Sequence, residues 1–178
     1  MFPLTFQTEH VADMSEDTTR LVANFVARNM DRVPSTDYVR QHTYCVMLYT
    51  GDSLCLSALV LARVVPEHVG RKMHELNSFC VDHEFRRTGL GSELLRHTRE
   101  QLQGSDYLKL FVDAGASHDR LVRFYQKNGM YTVYSNDVET CLQSTMDTHR
   151  GFLRGLVLSF TFLGVLVFAV TSLYLYCR

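Results

Sequence analysis

The residues whose types and spacing can do chemistry are Arg86-Arg87-Thr88-Gly89-Leu90-Gly91, with Ser92 directly behind them. An apolar run, Leu76 to Val81, leads into this stretch, and a helical pattern continues from it to about Gln103. Two glycines at a strand-to-helix turn let the backbone approach a bulky object without interference from a Cβ. The first amides of the new helix have no partner inside it, so they and the positive end of the dipole face that object. A phosphate-bearing ligand suits such a seat. Two common phosphate loops are excluded. A dinucleotide fingerprint needs a third glycine where Leu94 stands, and the Gly-Lys-Ser/Thr of a P-loop is absent. His74, His83, His97 and His118 show no metal-ligand spacing, so no metal is expected.

The elements that must position the turn follow from periodicity. Leu4 to Thr8 reads as a short strand. Asp13 or Ser15 caps a helix whose apolar positions Leu21, Val22, Phe25 and Val26 recur at helical spacing. Asp31 to Tyr38 contains Pro34 and reads as a loop before a short helix. Thr43 to Thr50 and Leu54 to Val65, separated by Gly51-Asp52-Ser53, form a hairpin signal, and Lys72 to Val81 is a further strand. After the glycine turn, Leu90, Leu94, Thr98 and Leu102 make one stripe, with Leu95 beside it, while Glu93, Arg96 and Glu100 take the wet side. Tyr107 to Val112 is apolar enough to be a central strand. His118 to Lys127 is a helix carrying Leu121, Val122, Phe124 and Tyr125, stopped by Asn128-Gly129. Met130 to Tyr134 and Val138 to Met146 are the last strands. This order predicts an α/β fold with one mixed sheet and helices on its faces.

Composition bounds the function classes. At 178 residues with net charge −1, the chain is long enough for one domain with a real core. It carries no basic stripe, so no nucleic acid partner is expected. Five cysteines without any Cys-x-x-Cys argue for reduced thiols in an intracellular compartment. Met1 to His10 lacks a basic start and a long apolar core, so a cleaved leader is not expected. The character changes after residue 146. Residues 147–154 read as a short basic linker with Arg150 and Arg154, and residues 155–177 hold no charge. As a helix that run rises roughly 33 Å, against a hydrocarbon core of about 30 Å. Tyr174 and Tyr176 stand where an interfacial aromatic belt lies, and Arg178 follows. A transmembrane helix is therefore expected, a single-pass C-terminal anchor whose two near-side arginines place the domain at 1–146 on the cytosolic side.

The motif set identifies a family. Phe79-Cys80-Val81-Asp82, then Arg86-x-x-Gly89-x-Gly91, then Phe124-Tyr125-Gln126-Lys127-Asn128-Gly129-Met130 resembles the GNAT superfamily of acetyl-CoA-dependent N-acetyltransferases. By element order the likeness spans Met1 to Met146, and it is specific between about Met73 and Tyr134. It implies a GNAT-like mixed sheet, splayed beside the turn and flanked by helices. Acetyl-CoA is the implied co-substrate, its pantetheine arm pairing with the backbone of Phe79, Cys80 and Val81. Its pyrophosphate is implied to rest on the amides of Arg87, Thr88, Gly89, Leu90, Gly91 and Ser92, beside the charges of Arg86 and Arg87. His118 stands seven residues before Tyr125, where relatives often carry a cofactor-bonding asparagine; an imidazole donor is expected there instead.

Acetyl transfer to an amine requires a deprotonated amine, a base or water path, a polarised carbonyl and an acid for the thiolate. Glu75 matches the strand glutamate that serves as base in the histone-acetylating branch of the family. Tyr125 matches the helix tyrosine that protonates the departing thiolate. The implied function is a membrane-tethered N-acetyltransferase acting on a primary amine: a protein lysine, an N-terminus or a small molecule. The alternative is a membrane-anchored module of the same fold, without turnover, that binds acetyl-CoA or another protein.

Overall fold

Among the described residues, seven strands and four α-helices follow one another in the order that the periodic segments predict. In the computed structural model, residues 3–30, 33–51, 55–66, 72–102 and 106–145 are described. The elements are β1 (Leu4–His10), α1 (Glu16–Met30), α2 (Thr36–Arg40), β2 (Tyr44–Thr50), β3 (Cys55–Pro66) and β4 (Lys72–Val81), followed by α3 (Leu90–Gln101), β5 (Tyr107–Asp113), α4 (His118–Lys127), β6 (Tyr131–Ser135) and β7 (Glu139–Thr145). They build one sheet in the order β1-β2-β3-β4-β5-β7-β6, in which β4 and β5 are parallel and the other neighbours antiparallel. β5 is central, as its apolar run predicts.

The helices form where their caps and stripes require. The Ser15 hydroxyl accepts the Thr18 amide at 3.1 Å and so caps α1. Val22, Phe25 and Val26 are buried, but Leu21 lies on the outer edge of the stripe and is 46% exposed. In α3 the whole expected stripe is buried, and Arg96 reaches Glu100 at 2.6 Å on the wet side. α4 departs from expectation. Of its apolar residues only Tyr125 is fully buried, and Leu121 is 39% exposed.

The helices pack as two layers. On one face α3 and α4 cover Val46, Val60, Leu76, Leu108 and Leu142, and Tyr125 joins that core. On the other, α1 and α2 cover Cys45, Met47, Leu59, Leu61 and Cys80. This second layer includes no residue of β5, β6 or β7. Alternation therefore leaves Lys109 and Phe111 of β5, and Tyr131 and Tyr134 of β6, on a part of the sheet that no described helix covers.

The sheet also opens at one line. β4 pairs with β5 only from Met73 to Leu76 and from Tyr107 to Leu110. β4 nevertheless continues to Val81 and β5 to Asp113, so their facing edges are unpaired beyond that point. On its other side β4 carries a bulge. Leu61 faces Ser78 and Ala62 faces Leu76, which leaves Asn77 without a partner in β3. The splay expected beside the glycine turn is this wedge.

The described residues fall within a compact unit that spans Met1–Met146. The expected linker at 147–154 and the expected transmembrane helix at 155–177 lie outside the described residues. Among the described residues, no helix is long and apolar enough to cross a membrane.

Candidate active site

The glycine turn sits at the mouth of the wedge. Gly89 precedes the first turn of α3 with φ +95°, a conformation that disfavours any Cβ, and it offers no side-chain cap. The Gly89 carbonyl accepts the amides of Ser92 at 3.0 Å and Glu93 at 3.2 Å. Ser92, expected in the anion seat, therefore has its amide committed to the first helical bond. The amides of Arg87, Thr88, Gly89, Leu90 and Gly91 donate to no backbone carbonyl among the described residues. These are the orphan donors of a helix start, and here they remain open to an anion.

The arginines divide their roles. Arg86 donates from Nε to the Val81 carbonyl at 3.0 Å and from Nη2 to Asn29 Oδ1 at 3.4 Å. It fastens the turn to β4 and α1, whereas Arg87, itself at φ +67°, is exposed beside the open amides. Gly91 serves a different purpose from Gly89. A Cβ there would lie 3.3 Å from Phe124 Cζ and 3.7 Å from Phe79 Cε1, so α3 starts hard against these rings. The seat fits a diphosphate. Among the described residues it offers several partnerless amides and one free cation, with a pair of unpaired strand edges leading away from it.

One wall of the wedge is aromatic. Phe79 packs 5.9 Å from Phe124 and 5.7 Å from Tyr125, and those two rings are 5.0 Å apart. Tyr125 is 6% exposed. Burial, with a smaller contribution from the Cys80 thiol, pushes its phenol well above the usual range, so it keeps its proton at neutral pH. Cys80 itself is buried in the core under α1 and α2.

Glu75 lies on the opposite face of β4 from this aromatic wall. Strand register sets Arg63 directly across from it. Arg63 Nη2 donates to Glu75 Oε1 at 2.8 Å, and Asn77 Nδ2 donates to the same oxygen at 2.7 Å. Oε2 has no hydrogen-bond partner among the described residues. Asn77, freed by the bulge, keeps Oδ1 buried without a hydrogen-bond partner among the described residues. Tyr38 of α2 reaches over to Ser78, hydroxyl to hydroxyl, at 2.8 Å. His42 closes this corner, its ring Nδ1–H donating to the Tyr38 carbonyl at 2.9 Å. Burial lowers the His42 pKa below the usual histidine value, so the ring is neutral beside Arg63 and Glu75.

His118 is placed differently from the expectation. Its Nε2 pairs with the Thr140 hydroxyl at 2.8 Å and its Nδ1 with Asp119 at 3.0 Å. Both ring nitrogens are thus engaged, and the Nε2 bond ties the start of α4 to β7. Sequence reasoning missed Arg63, Asn77, Tyr38 and Ser78, because each enters the site through strand register or helix packing. One signal was available for Lys109. It is a charge in the middle of the otherwise apolar run Tyr107–Val112. Among the described residues no group of His, Cys, Asp and Glu side chains is placed to hold a metal.

Comparison with known proteins agrees with this geometry. No curated protein sequence matches the chain. Among solved structures it is similar to the ribosomal-protein-S18-alanine N-acetyltransferase from Escherichia coli, with 17% identity and a TM-score of 0.61 over 80% of this chain and 94% of that one. It is also similar to Arabidopsis thaliana Naa50 in complex with the bisubstrate analogue CoA-Ac-MVNAL, with 14% identity and a TM-score of 0.60 over 78% and 97%. A Bacillus subtilis acetyltransferase in complex with CoA shares 13% identity at a TM-score of 0.60, over 80% and 99%. At such identities the likeness is one of fold. The family itself is shown by the sequence model for the Acetyltransferase (GNAT) family, which matches residues 11–130. With the wedge, the open amides and the buried tyrosine in place, the chain belongs to the acetyltransferase (GNAT) family and is an acetyl-CoA-dependent N-acetyltransferase.

Proposed function

We propose that this N-acetyltransferase is membrane-tethered and transfers acetyl directly to a primary amine, with Glu75 as base and Tyr125 as acid. The acceptor is a protein lysine, an N-terminus or a small amine. The observation that carries the reading is the parting of β4 and β5 after Leu76 and Leu110, with Glu75 on one face of the opening and Tyr125 on the other. Acetyl-CoA supplies the activated acyl group as a thioester. The Arg87–Gly91 amides and the Arg87 charge hold its diphosphate, and the free edge of Phe79–Val81 accommodates the pantetheine arm. Glu75, through Oε2, takes the ammonium proton of the acceptor and so frees the nitrogen lone pair. As the new C–N bond forms and the C–S bond breaks, Tyr125 gives its proton to the leaving sulfur, and the second proton that the nitrogen sheds on becoming an amide restores the phenol.

The tether rests on sequence. Residues 155–177 carry no charge, and Arg150 and Arg154 precede them. From the domain end at 146, eight residues reach at most about 28 Å. The catalytic domain then works close to the cytosolic face of a membrane, where tethering raises the effective concentration of nearby acceptors.

The test is acetyl transfer by the full chain to a panel of peptides and small amines, read as CoA release and acceptor mass. Turnover by wild type, strongly reduced in Glu75→Gln with acetyl-CoA affinity retained, is the expected result. Tight acetyl-CoA binding without transfer to any acceptor overturns the reading. Resistance of the full chain to extraction from membranes by alkaline carbonate, lost on truncation after Arg154, tests the tether.

A further inference from the structure

The half of the sheet that no described helix covers carries a charge arrangement that the transfer chemistry leaves unused. Glu75 of β4 and Lys109 of β5 are register partners, one pair before Leu76 and Leu110, where the pairing of the two strands ends. Leu76 and Leu110, their neighbours, point into the core under α3 and α4, so Glu75 and Lys109 share the other face. The fields of both reach the Cys141 thiol on the adjacent strand β7. Adjacent strands lie about 4.8 Å apart, close enough for a glutamate and a lysine to close an ion pair. They do not close one. Glu75 is held by Arg63 from the β3 side, through Oε1. Lys109 turns the other way, along its own strand, and sets Nζ 4.9 Å from the centre of the Phe111 ring.

The result is a divided floor. Among the described residues, an anion with one free oxygen stands on β4 and a cation without a carboxylate partner stands on β5. Phe111 continues the floor, packing 6.5 Å from Tyr134 of β6. The nearest acid on β7 is Glu139. It pairs in register with Asp113, four β5 residues beyond Lys109, and accepts the Tyr134 hydroxyl at 2.6 Å. At the level of Lys109 itself, the β7 partner is the neutral Gln143. His42, on the Glu75 side, is neutral through burial.

We propose that Lys109 is a specificity-determining residue that selects acceptors carrying a carboxylate next to the reacting amine, such as a free amino terminus followed by an acidic side chain. The inference rests on the transferase reading in placing the acceptor amine at Glu75. There the ammonium faces the carboxylate and the neighbouring acid faces the lysine, so both charges of the acceptor are matched. An acceptor with a basic neighbour sets like charges together over Lys109, which disfavours it.

The experiment uses the full chain and three peptides that differ only in the residue beside the free amine: Glu, Gln or Lys. Two readouts are taken, kcat/KM with acetyl-CoA and equilibrium binding of each peptide to the CoA-loaded chain. Wild type is expected to prefer Glu over Lys by about five- to tenfold, the scale of one partly exposed ion pair. Lys109→Glu is expected to reverse the order, and Lys109→Gln to flatten it, with acetyl-CoA affinity unchanged in both. Turnover with no charge order in wild type, or an order unchanged by Lys109→Glu, overturns the proposal and leaves the transferase reading standing. Ordered binding without turnover supports charge selection by Lys109 and counts against Glu75 as the base that frees the amine.

Discussion

Gly89 and Gly91 are two residues apart yet are glycines for different reasons, and substitution separates those reasons. At Gly89 the backbone has φ +95° and a Cβ meets nothing within 4 Å, so the whole penalty is conformational. A left-handed backbone costs a Cβ-bearing residue roughly 1–2 kcal/mol. At this domain size Tm moves by about 2–4 °C per kcal/mol, so Gly89→Ala should melt about 2–8 °C lower. Asparagine tolerates this region, so Gly89→Asn should recover much of that loss. At Gly91 the helical backbone accepts any residue, and alanine there gains about 0.5–1 kcal/mol of helix propensity. Against this gain stands a Cβ at 3.3 Å from Phe124 Cζ, the far end of a half-buried ring that must yield by a few tenths of an ångström. The two terms nearly cancel, and Gly91→Ala should hold Tm to within about 3 °C. Gly91→Asn, larger in the same crowded space, should be worse than Gly91→Ala. Thermal unfolding of the four variants gives opposite rank orders for alanine and asparagine at the two positions. The same rank order at both would refute the assignment of conformation to one glycine and space to the other.

Two further outcomes follow from buried titratable groups. Tyr125→Phe keeps the ring contacts with Phe79 and Phe124 but removes the phenolic proton; on the proposed acid role kcat should fall by about a hundredfold or more with acetyl-CoA affinity unchanged, and equal loss of both would refute that role. Burial lowers the pKa values of His42 and His74 in the folded chain, while in the unfolded chain they titrate near the ordinary 6.5. The unfolded state therefore binds protons first as pH falls, and stability, full above about pH 6.5, should decline below it by up to about 1.4 kcal/mol per pH unit for each histidine. Urea midpoints at pH 7.5, 6.5 and 5.5 measure this, and a flat or rising series would exclude the two histidines as its source.

Much of the scaffold was legible because it is written in local spacing. Strand Lys72–Val81 and helix His118–Lys127 occupy the spans that apolar periodicity and the Asn128-Gly129 stop predict. The glycine turn was legible for the same reason, since a strand, two glycines and a helix start are contiguous in the chain. The site's second half was not. Arg63 meets Glu75 only because β3 and β4 pair in one register, and Asn77 is freed only by a bulge in that pairing. The engagement of His118 with Thr140 depends on where α4 docks, 22 residues from its partner.

The sequence by itself determined the order of elements, the seat for an anion and the uncharged run at 155–177, because each depends on residues close along the chain. Only the tertiary structure decided which amides of that seat stay open, where β4 and β5 part, and that α1 and α2 leave β5 to β7 uncovered on one face. Register and layer coverage are set by contacts between distant segments, which no local period encodes.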